Sequence, residues 1–207
     1  MLDVKNRTRR IRAFTAGACL RILTPSFYEI VKGSLDGTEN TDMPRPSTKL
    51  LHRVYGEKPL VGVEIGTGFG MNALNLLHEL SMERLYCIDP FIAYFDGKAE
   101  MQSEYLSKSE MTLALLSKYK NVTFIRKQSS EAVKEIPEKV DFVYIDGNHN
   151  YEYVFGDLLN YFPLVRKKGV IAGHDVDWFD VRNAVNDFCQ AKSKTPLIHS
   201  PDWIIFK

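Results

Sequence analysis

The sequence predicts an α/β protein built on a doubly wound, seven-stranded and mostly parallel sheet, with an N-terminal helical extension and a C-terminal antiparallel hairpin. Short apolar segments alternate with helical stretches from Leu60 onward, and this alternation indicates parallel strands joined by crossover helices. The last two apolar runs, residues 196–199 and 203–206, are joined by only three residues. Three residues cannot form a parallel crossover, so these two runs should pair as an antiparallel hairpin.

Five earlier apolar segments, several rich in β-branched or aromatic residues, are typical of buried parallel strands. They span residues 60–65, 84–88, 122–125, 140–145 and 169–173. Helices are predicted over residues 47–55, 72–80, 111–119 and 181–189. A further helix carries an apolar stripe that should pack into the core and should end at Pro163; the stripe comprises Tyr151, Val154, Phe155, Leu158 and Phe162.

The turn after the first strand carries Gly66, Gly68 and Gly70 and precedes a helix. Glycines let the backbone turn sharply and approach a ligand, and Asp89, at the end of the second strand, can accept both hydroxyl protons of a ribose. We therefore expect a nucleoside-containing cofactor. A dinucleotide fingerprint would require glycine where the chain has Met71, so a dinucleotide is disfavoured. In the alternative interpretation, the glycines only form a tight corner and Asp89 caps a helix.

Two later strand ends carry groups that can do chemistry. Asp146 ends the fourth strand, and His174 with Asp175 ends the fifth. Neighbouring strands lie about 4.8 Å apart, so these side chains can converge on one ion, beside the glycine turn where the strand order reverses. Two carboxylates and an imidazole predict a divalent-cation site for magnesium or manganese. Alternatively, Asp146 closes an Asx-type turn and Asp175 or Asp177 caps the next helix.

A cation at this position would bind a substrate hydroxyl and lower its pKa, which gives an oxygen nucleophile at neutral pH. His149 lies three residues after Asp146. It is placed to take the hydroxyl proton, because an unperturbed imidazole titrates at about 6.5. Asp146 and His149 are therefore the candidate catalytic residues. A hydrogen bond from His149 to a loop carbonyl is an equally open alternative.

The glycine turn, with Glu64 near the end of the first strand, resembles the first motif of class I S-adenosylmethionine-dependent methyltransferases. Residues 146–152, with their continuation through Asp157 to residues 173–175, resemble the branch that includes macrocin-type sugar O-methyltransferases and lies near catechol O-methyltransferase. The likeness covers roughly residues 47–190. It implies a Rossmann-like sheet that binds S-adenosylmethionine, with the methionine half against the glycine turn and the ribose on Asp89.

The resemblance also implies roles for individual residues. Metal-dependent members hold magnesium through positions that match Asp146, His174 and Asp175, and the catechol enzyme has its catalytic lysine where His149 falls. This chain departs from that pattern, because His174 stands where those enzymes have an acid and a histidine replaces the lysine. The segment after the third strand resembles the family's adenine-side motif without its usual acid. The implied cofactor-binding residues are Glu64, Gly66, Thr67, Gly68, Gly70, Asp89, Ser129, Ser130 and Asp146.

The sequence therefore predicts a methyltransferase that uses S-adenosylmethionine, with O-methylation of a small hydroxylated acceptor as the leading reaction and magnesium or manganese as an assisting ion. Two alternatives remain: a NAD-dependent oxidoreductase, which Met71 and the reversed hairpin disfavour, and a non-enzymatic S-adenosylmethionine-binding module. Aromatic residues after the strand ends either line an acceptor pocket or pack at its rim; they are Phe91, Tyr94, Phe95, Trp178 and Phe179.

Composition limits the number of domains, the partners and the cellular location that we expect for this chain. With 207 residues and 44% hydrophobic content, the chain can bury the core of one domain, predicted at residues 47–207 after an extension and loop at 1–46. A formal net charge of +1 gives no electrostatic footprint for nucleic acid. Scattered cysteines, no bilayer-length apolar run and no signal-peptide pattern predict a cytoplasmic protein without membrane partners. The oligomeric state is open, with a homodimer among the options.

The N-terminal segment is basic. Between Asp3 and Glu29 there is no acid, but Lys5, Arg7, Arg9, Arg10, Arg12 and Arg21 fall there. Such a stretch could be a transit peptide, a patch for an acidic partner, or a lid helix over the cofactor. A solvated basic helix packed on the domain is favoured, because basic faces are usually solvated.

Overall fold

The computed structural model describes residues 44–92 and 102–207, apart from the side chains of residues 102–105 and 107. These residues belong to one unit, Met43–Lys207. The predicted N-terminal helical extension and its basic segment lie outside the described residues, as do Tyr94 and Phe95. The domain boundary between residues 46 and 47 stays a prediction.

The sheet has seven strands in the order β3-β2-β1-β4-β5-β7-β6. Strands β1 to β5 pair in parallel, whereas β7 is antiparallel to both β5 and β6. The predicted doubly wound, mostly parallel sheet with a C-terminal antiparallel hairpin is therefore confirmed. The strands are β1 (Leu60–Ile65), β2 (Met82–Ile88), β3 (Val122–Ile125), β4 (Val140–Ile145), β5 (Val165–Gly173), β6 (Leu197–His199) and β7 (Asp202–Phe206).

Helices pack on both faces of the sheet. Val154 and Leu158 of one helix and Phe188 of another are buried against one face, while Leu51 and Leu76 are buried against the other. Each large apolar side chain buried in this way contributes about 1.5–3 kcal/mol. The helices are α1 (Pro46–Tyr55), α2 (Met71–Glu79), α3 (Gln102–Leu116), α4 (Ser129–Ala132), α5 (Tyr151–Tyr161) and α6 (Phe179–Lys192), with a 3₁₀ turn at Val133–Glu135.

The two largest differences from the predicted element boundaries are at β5 and α3. Strand β5 begins at Val165, four residues earlier than predicted, because the charged residues 166–168 conceal its first half. Helix α3 begins at Gln102 rather than at residue 111, because its polar first half lacks the apolar periodicity that marks an amphipathic helix. The core stripe of α5 is confirmed, and this helix ends at Tyr161, just before Pro163.

The strand order determines at which edge of the sheet a ligand can bind. Strand β1 lies between β2 and β4, so the chain winds in opposite directions from this point and leaves a crevice at the carboxyl ends of β1 and β4. Among the described residues, no helix is both long and apolar enough to cross a membrane. Cys87 and Cys189 are free thiols in the core.

Candidate cofactor and metal site

The glycine turn connects β1 to α2 through three residues with left-handed backbone angles. The φ angles are +83° at Gly66, +52° at Gly68 and +78° at Gly70. A Cβ on Gly66 would lie 2.0 Å from the carbonyl oxygen of Asp146, so only glycine fits there. A Cβ on Gly68 would meet no atom of the chain within 4 Å. The turn therefore packs against β4 at its first glycine and offers open backbone at its second.

The third glycine has a structural role. Gly70 is the residue before α2, and a Cβ there would lie 3.3 Å from Cγ2 of Thr112 on α3. The Thr112 hydroxyl in turn donates a hydrogen bond of 2.5 Å to the carbonyl oxygen of Gly68. Gly70 thus lets α3 approach the turn, and it is not among the described residues that line the cleft.

Asp89 follows β2 and is fixed against the turn. Its two carboxylate oxygens accept backbone hydrogen bonds from Gly68 (2.9 Å) and Phe91 (2.8 Å). Burial raises the pKa of this carboxyl, while the two backbone bonds oppose the rise. Each oxygen keeps lone pairs for a ligand, so the carboxylate is positioned to accept from a pair of ribose hydroxyls. Its contact with Phe91 is a local turn, and no described helix begins there.

Glu64 and Thr67 lie beneath the turn. Both are buried, and Glu64 accepts a hydrogen bond of 2.9 Å from the side-chain amide of Asn72. Burial raises the pKa of Glu64 to about 8, although the bond from Asn72 lowers it. Neither residue is among the described lining of the cleft. Their location indicates support of the turn, and direct contact with a cofactor stays a prediction.

A cleft of about 710 Å³ opens at the carboxyl ends of the strands. It brings together the last residues of β1 and β2 with residues that follow β3, β4 and β5, as expected for a ligand site at a reversal of strand order. The aromatic residues Phe91 and Trp178 line it. So do eight of the predicted catalytic, cofactor-binding and metal-binding residues: Gly66, Gly68, Asp89, Ser129, Ser130, Asp146, His149 and Asp175.

Asp146, His149 and Asp175 form a cluster in this cleft. One ligand atom from each residue lies within 4.8 Å of the other two, an arrangement that can hold a metal ion. His149 Nε2 lies 3.0 Å from Asp175 Oδ2 and 4.0 Å from Asp146 Oδ1. The imidazole packs against the ring of Trp178, with 4.9 Å between the ring centres. Trp178 and the two acids thus hold the ring in place.

The two carboxylates determine the charge of His149. Burial lowers the pKa of this imidazole, but its contacts with Asp146 and Asp175 raise it, and the resulting pKa is about 10. The ring is therefore positively charged at neutral pH and balances the carboxylates. In this form it cannot accept a proton.

His174 lies at the edge of the cluster. Its Nδ1 is 2.9 Å from Asp175 Oδ2 and 3.9 Å from Asp146 Oδ1. The predicted trio of Asp146, His174 and Asp175 is therefore brought together, with His149 as a fourth member. Asp175 has a left-handed φ of +57° that turns the chain at this point.

The alternative roles weighed for these acids are not seen among the described residues. The first residue of the Asx-type turn after β4 is Asn148, whose side-chain oxygen accepts from Asn150 N–H at 2.9 Å. Helix α6 has no side-chain cap, and Asp177 instead accepts hydrogen bonds from Ser200 and Arg182.

At the β3 end of the cleft the structure adds a residue that sequence reasoning missed. Asp157 of α5 lines the cleft beside Ser129, and burial raises its pKa to about 7, while a hydrogen bond with Ser129 lowers it. The hydroxyl of Tyr161 donates to the carbonyl oxygen of Ser129 at 2.7 Å. An acid of α5 thus lies beside Ser129, although the segment after β3 itself carries none at its adenine-side motif. Only tertiary packing brings positions 129 and 157 together.

A second missed residue is Arg45, immediately before α1. Its Nη2 lies 3.2 Å from Asp146 Oδ2, across about a hundred residues of sequence. No local pattern marks Arg45, because it falls in a stretch that reads as a loop rich in turn-forming residues.

Comparison with known proteins assigns the family. Residues 63–176, more than half of the chain, match the family described as "Methyltransferase domain". The chain therefore belongs to this methyltransferase family. A curated relative, an uncharacterized protein of Acanthamoeba polyphaga mimivirus, is 29% identical over 130 residues, which cover 60% of this chain. That match spans only 55% of the relative's length.

Solved structures with the same fold include several methyltransferases. A proposed caffeoyl-CoA O-methyltransferase from Staphylococcus aureus aligns with a TM-score of 0.59 and 13% identity, covering 97% of this chain and 98% of its own. A proposed methyltransferase from Streptococcus mutans, solved in complex with SAH, has a TM-score of 0.55 and 16% identity, covering 77% and 93%. An rRNA methylase from Streptococcus thermophilus gives 0.56 and 13%, covering 81% and 96%. At these identities the likeness shows the fold.

The chain is thus a member of a methyltransferase family, and it shares its fold with solved methyltransferases, one of them in complex with SAH. The cofactor predicted from the sequence is S-adenosylmethionine. The residues present fit this cofactor. Gly68 leaves room for a ligand against its backbone, and Asp89 presents a fixed carboxylate to a ribose. The oxidoreductase weighed from the sequence does not agree with membership of a methyltransferase family, whereas the non-enzymatic S-adenosylmethionine-binding module is not tested by this match and stays an alternative.

Proposed function

We propose that the chain transfers a methyl group from S-adenosylmethionine to an oxygen atom of a small hydroxylated acceptor, with the help of a divalent cation. The observation that carries the proposal is the convergence of Asp146, His149 and Asp175 in the same cleft as Gly68 and Asp89. Cation ligands and cofactor-binding groups therefore border one space, and an acceptor hydroxyl in that space would face both.

The chain holds the cofactor along the edge of the sheet. Ser129 and Asp157 lie where the base binds, and Asp89 accepts from the ribose hydroxyls. The backbone of Gly68 faces the sulfur-bearing end of the cofactor. When bound, S-adenosylmethionine supplies a methyl group on positively charged sulfur. The chain's own task is to align the acceptor oxygen with that group, and alignment of this kind supplies much of the rate of a displacement reaction.

Asp146 and Asp175 would be the oxygen ligands for the cation, and His174, whose Nδ1 lies 2.9 Å from Asp175 Oδ2 and 3.9 Å from Asp146 Oδ1, would supply a nitrogen and leave His149 to act as a base. Carboxylates suit magnesium and manganese alike, whereas an imidazole ligand favours manganese over magnesium. At this position a cation lowers the pKa of an acceptor hydroxyl. His174 stands where related enzymes have an acid, and this difference is consistent with a site that combines oxygen and nitrogen donors.

His149 then serves as the proton acceptor. Its positive charge is stabilised by Asp146 and Asp175, at 4.0 Å and 3.0 Å. A cation held by Asp146 and Asp175 would offset their negative charge and so reduce that stabilisation, and His149 as a neutral ring could then take the proton of the acceptor hydroxyl. Trp178, whose ring lies against His149 at an interplanar angle of 41°, gives an apolar surface against which a ring-shaped acceptor can pack.

The proposal of a small acceptor rests on the net charge of the chain rather than on its fold. Fold neighbours include both an O-methyltransferase and an rRNA methylase, so the sheet alone does not select an acceptor. A net charge of +1 does not provide the basic surface that drives binding to nucleic acid. A small hydroxylated acceptor agrees with both observations.

The proposal is tested by incubating the protein with S-adenosylmethionine and a panel of catechols, other phenols and sugars, and by detecting methylated products by mass spectrometry. We expect O-methylation that is abolished by a chelator, restored best by manganese, and reduced at least 100-fold (an order-of-magnitude expectation for loss of a metal-bound nucleophile) in Asp175→Asn. Activity that survives both the chelator and this substitution would show the metal proposal to be wrong.

Asp177→Asn is the matched control. Asp177 lies two residues after Asp175 and is exposed, with hydrogen bonds to Ser200 and Arg182 rather than to the cluster. It should retain full activity. If methyl groups are found only on nitrogen or carbon atoms of acceptors, the cofactor assignment stands and the O-methylation proposal fails.

A further inference from the structure

Arg45 has more hydrogen-bonding capacity than the described fold uses. Its Nη2 lies 3.2 Å from Asp146 Oδ2, and its guanidinium carbon lies 5.8 Å from the centre of the Tyr144 ring. The side chain is only 15% exposed. Its Nε and Nη1 are buried and have no hydrogen-bond partner among the described residues. Two donor groups of the buried guanidinium therefore have no acceptor among the described residues.

Such an arrangement is costly without a ligand. A buried donor with no partner costs about 1–3 kcal/mol, and a charged one costs more. Arg45 cannot relieve this cost by losing a proton, because a guanidinium group stays protonated in proteins. An anionic acceptor from a ligand would satisfy both donors.

The segment that carries Arg45 is held rigidly. Ser47, two residues later, donates from its backbone N–H (2.9 Å) and its hydroxyl (2.5 Å) to one oxygen of buried Asp202. The hydroxyl of Tyr144 donates to the other oxygen at 3.0 Å. The guanidinium is thus fixed before any ligand binds, and fixed groups bind at lower entropic cost.

The strand order indicates which part of a ligand meets Arg45. Along the edge of the sheet, Ser129 follows β3, Asp89 follows β2, the glycine turn follows β1 and Asp146 follows β4. A cofactor with its base at Ser129 and its ribose at Asp89 has its amino-acid tail at the turn and at Asp146. Arg45 contacts Asp146 through Nη2, so its guanidinium lies directly behind this end of the cleft, although Arg45 is not among the described lining residues. This is the end where the tail carries a carboxylate.

We propose that Arg45 binds the α-carboxylate of S-adenosylmethionine through Nε and Nη1. The inference rests on the cofactor and not on the acceptor or the metal. Guanidinium groups bind carboxylates through two parallel hydrogen bonds, a geometry that orients as well as attracts the ligand. Arg45 would therefore set the position of the sulfur as well as the affinity.

The test compares two ligands by isothermal titration calorimetry, without metal or acceptor. One is S-adenosylhomocysteine; the other is its decarboxylated analogue, which keeps the amine and lacks only the carboxylate. We expect the unmodified protein to prefer S-adenosylhomocysteine by roughly 10- to 100-fold, the range for charge-assisted hydrogen bonds. Arg45→Met should lose this preference by weakening S-adenosylhomocysteine alone, and Arg45→Lys should keep part of it.

Arg53→Met is the control, since Arg53 lies on the exposed side of the same helix α1. Equal loss of affinity for both ligands in Arg45→Met would show that Arg45 only supports Asp146, and would overturn the proposal. So would an unmodified protein that binds the two ligands equally. If the unmodified protein bound neither ligand, the cofactor assignment itself would be wrong, and the proposal would fall with it.

Discussion

Gly66 packs directly against the backbone of Asp146: a Cβ on Gly66 would lie 2.0 Å from the carbonyl oxygen of Asp146 and 2.6 Å from Cα of Gly147. The N–H of Asp146 also donates to the carbonyl oxygen of Ile65 at 2.8 Å. The turn that receives the cofactor and the acid proposed for catalysis are therefore one rigid piece. A change at one must displace the other.

The first prediction separates the two glycines. Gly66→Ala should lower the melting temperature strongly and abolish binding of S-adenosylhomocysteine, because alanine adds a backbone clash to a strained φ that alone costs about 1–3 kcal/mol. Gly68→Ala should be less destabilising, because alanine there carries the cost of a left-handed φ of +52° but its Cβ meets no atom within 4 Å; it should still weaken binding by entering the cleft. Thermal melting with and without S-adenosylhomocysteine checks both. Similar melting temperatures for the two variants would contradict the assigned packing.

The second prediction concerns Asp89. Its oxygens accept from Gly68 and Phe91 N–H groups, so in Asp89→Asn the new amide group must face one of these donors or the ribose. We expect roughly 10- to 100-fold weaker binding of S-adenosylhomocysteine, the cost of losing charge-assisted hydrogen bonds. Calorimetric titration measures it, with exposed Asp187→Asn as the unaffected control. Unchanged affinity would exclude Asp89 from the ribose site.

The third prediction is a pH dependence from Asp157. Its folded-state pKa of about 7 lies above the ordinary value of 3.8, so the folded protein holds this proton more tightly than the unfolded chain. This contribution to stability is complete below the unfolded value and is lost as pH rises toward 7. Asp157→Asn should therefore gain stability relative to the unmodified protein between about pH 5 and pH 8, by roughly 2 kcal/mol.

Denaturant unfolding of the unliganded protein at these two pH values measures the change for Asp157. The difference between variant and unmodified protein removes the contribution of other groups, including Glu64, whose raised pKa produces a slope of the same sign. Asp187→Asn, at an exposed position, should show no comparable change. A stability difference that does not depend on pH would show that Asp157 is not buried as a protonated acid.

The fourth prediction tests the support of α1. Ser47→Ala removes the hydroxyl that donates to buried Asp202 and leaves that carboxylate with fewer partners. We expect a loss of about 1–3 kcal/mol in the free energy of unfolding. Ser117→Ala, which removes an exposed hydroxyl bonded to the carbonyl oxygen of Ala114, should cost much less. Equal effects from the two substitutions would argue against the Asp202 network as a stabilising element.

Much of the architecture and part of the site could be predicted from the sequence, because both depend on short apolar strands and on the residues that follow them. Strands β1, β3 and β4 are confirmed to the residue because they are apolar runs between turn-forming segments. Asp89, Asp146 and Asp175 were predictable because they follow such runs, and the carboxyl ends of parallel strands meet at one edge.

The residues that sequence reasoning missed depend on tertiary packing. Arg45 meets Asp146 only because α1 returns to the carboxyl end of β4, and Asp157 meets Ser129 only because α5 packs beside α4. The charge of His149 could not be read from an isolated imidazole either, since it depends on carboxylates from two different strands. In each case the environment, not the residue type, sets the chemistry.

The position of β7 has a consequence for synthesis of the protein. This strand lies inside the sheet, between β5 and β6, and carries the Asp202 carboxylate that secures Ser47, near the first described residues. A nascent chain that ends before residue 202 would already contain the glycine turn and every acid of the cleft. It would still lack the anchor that fixes α1 and Arg45. We expect truncation within β7 to weaken cofactor binding, although no described residue of that strand lines the cleft.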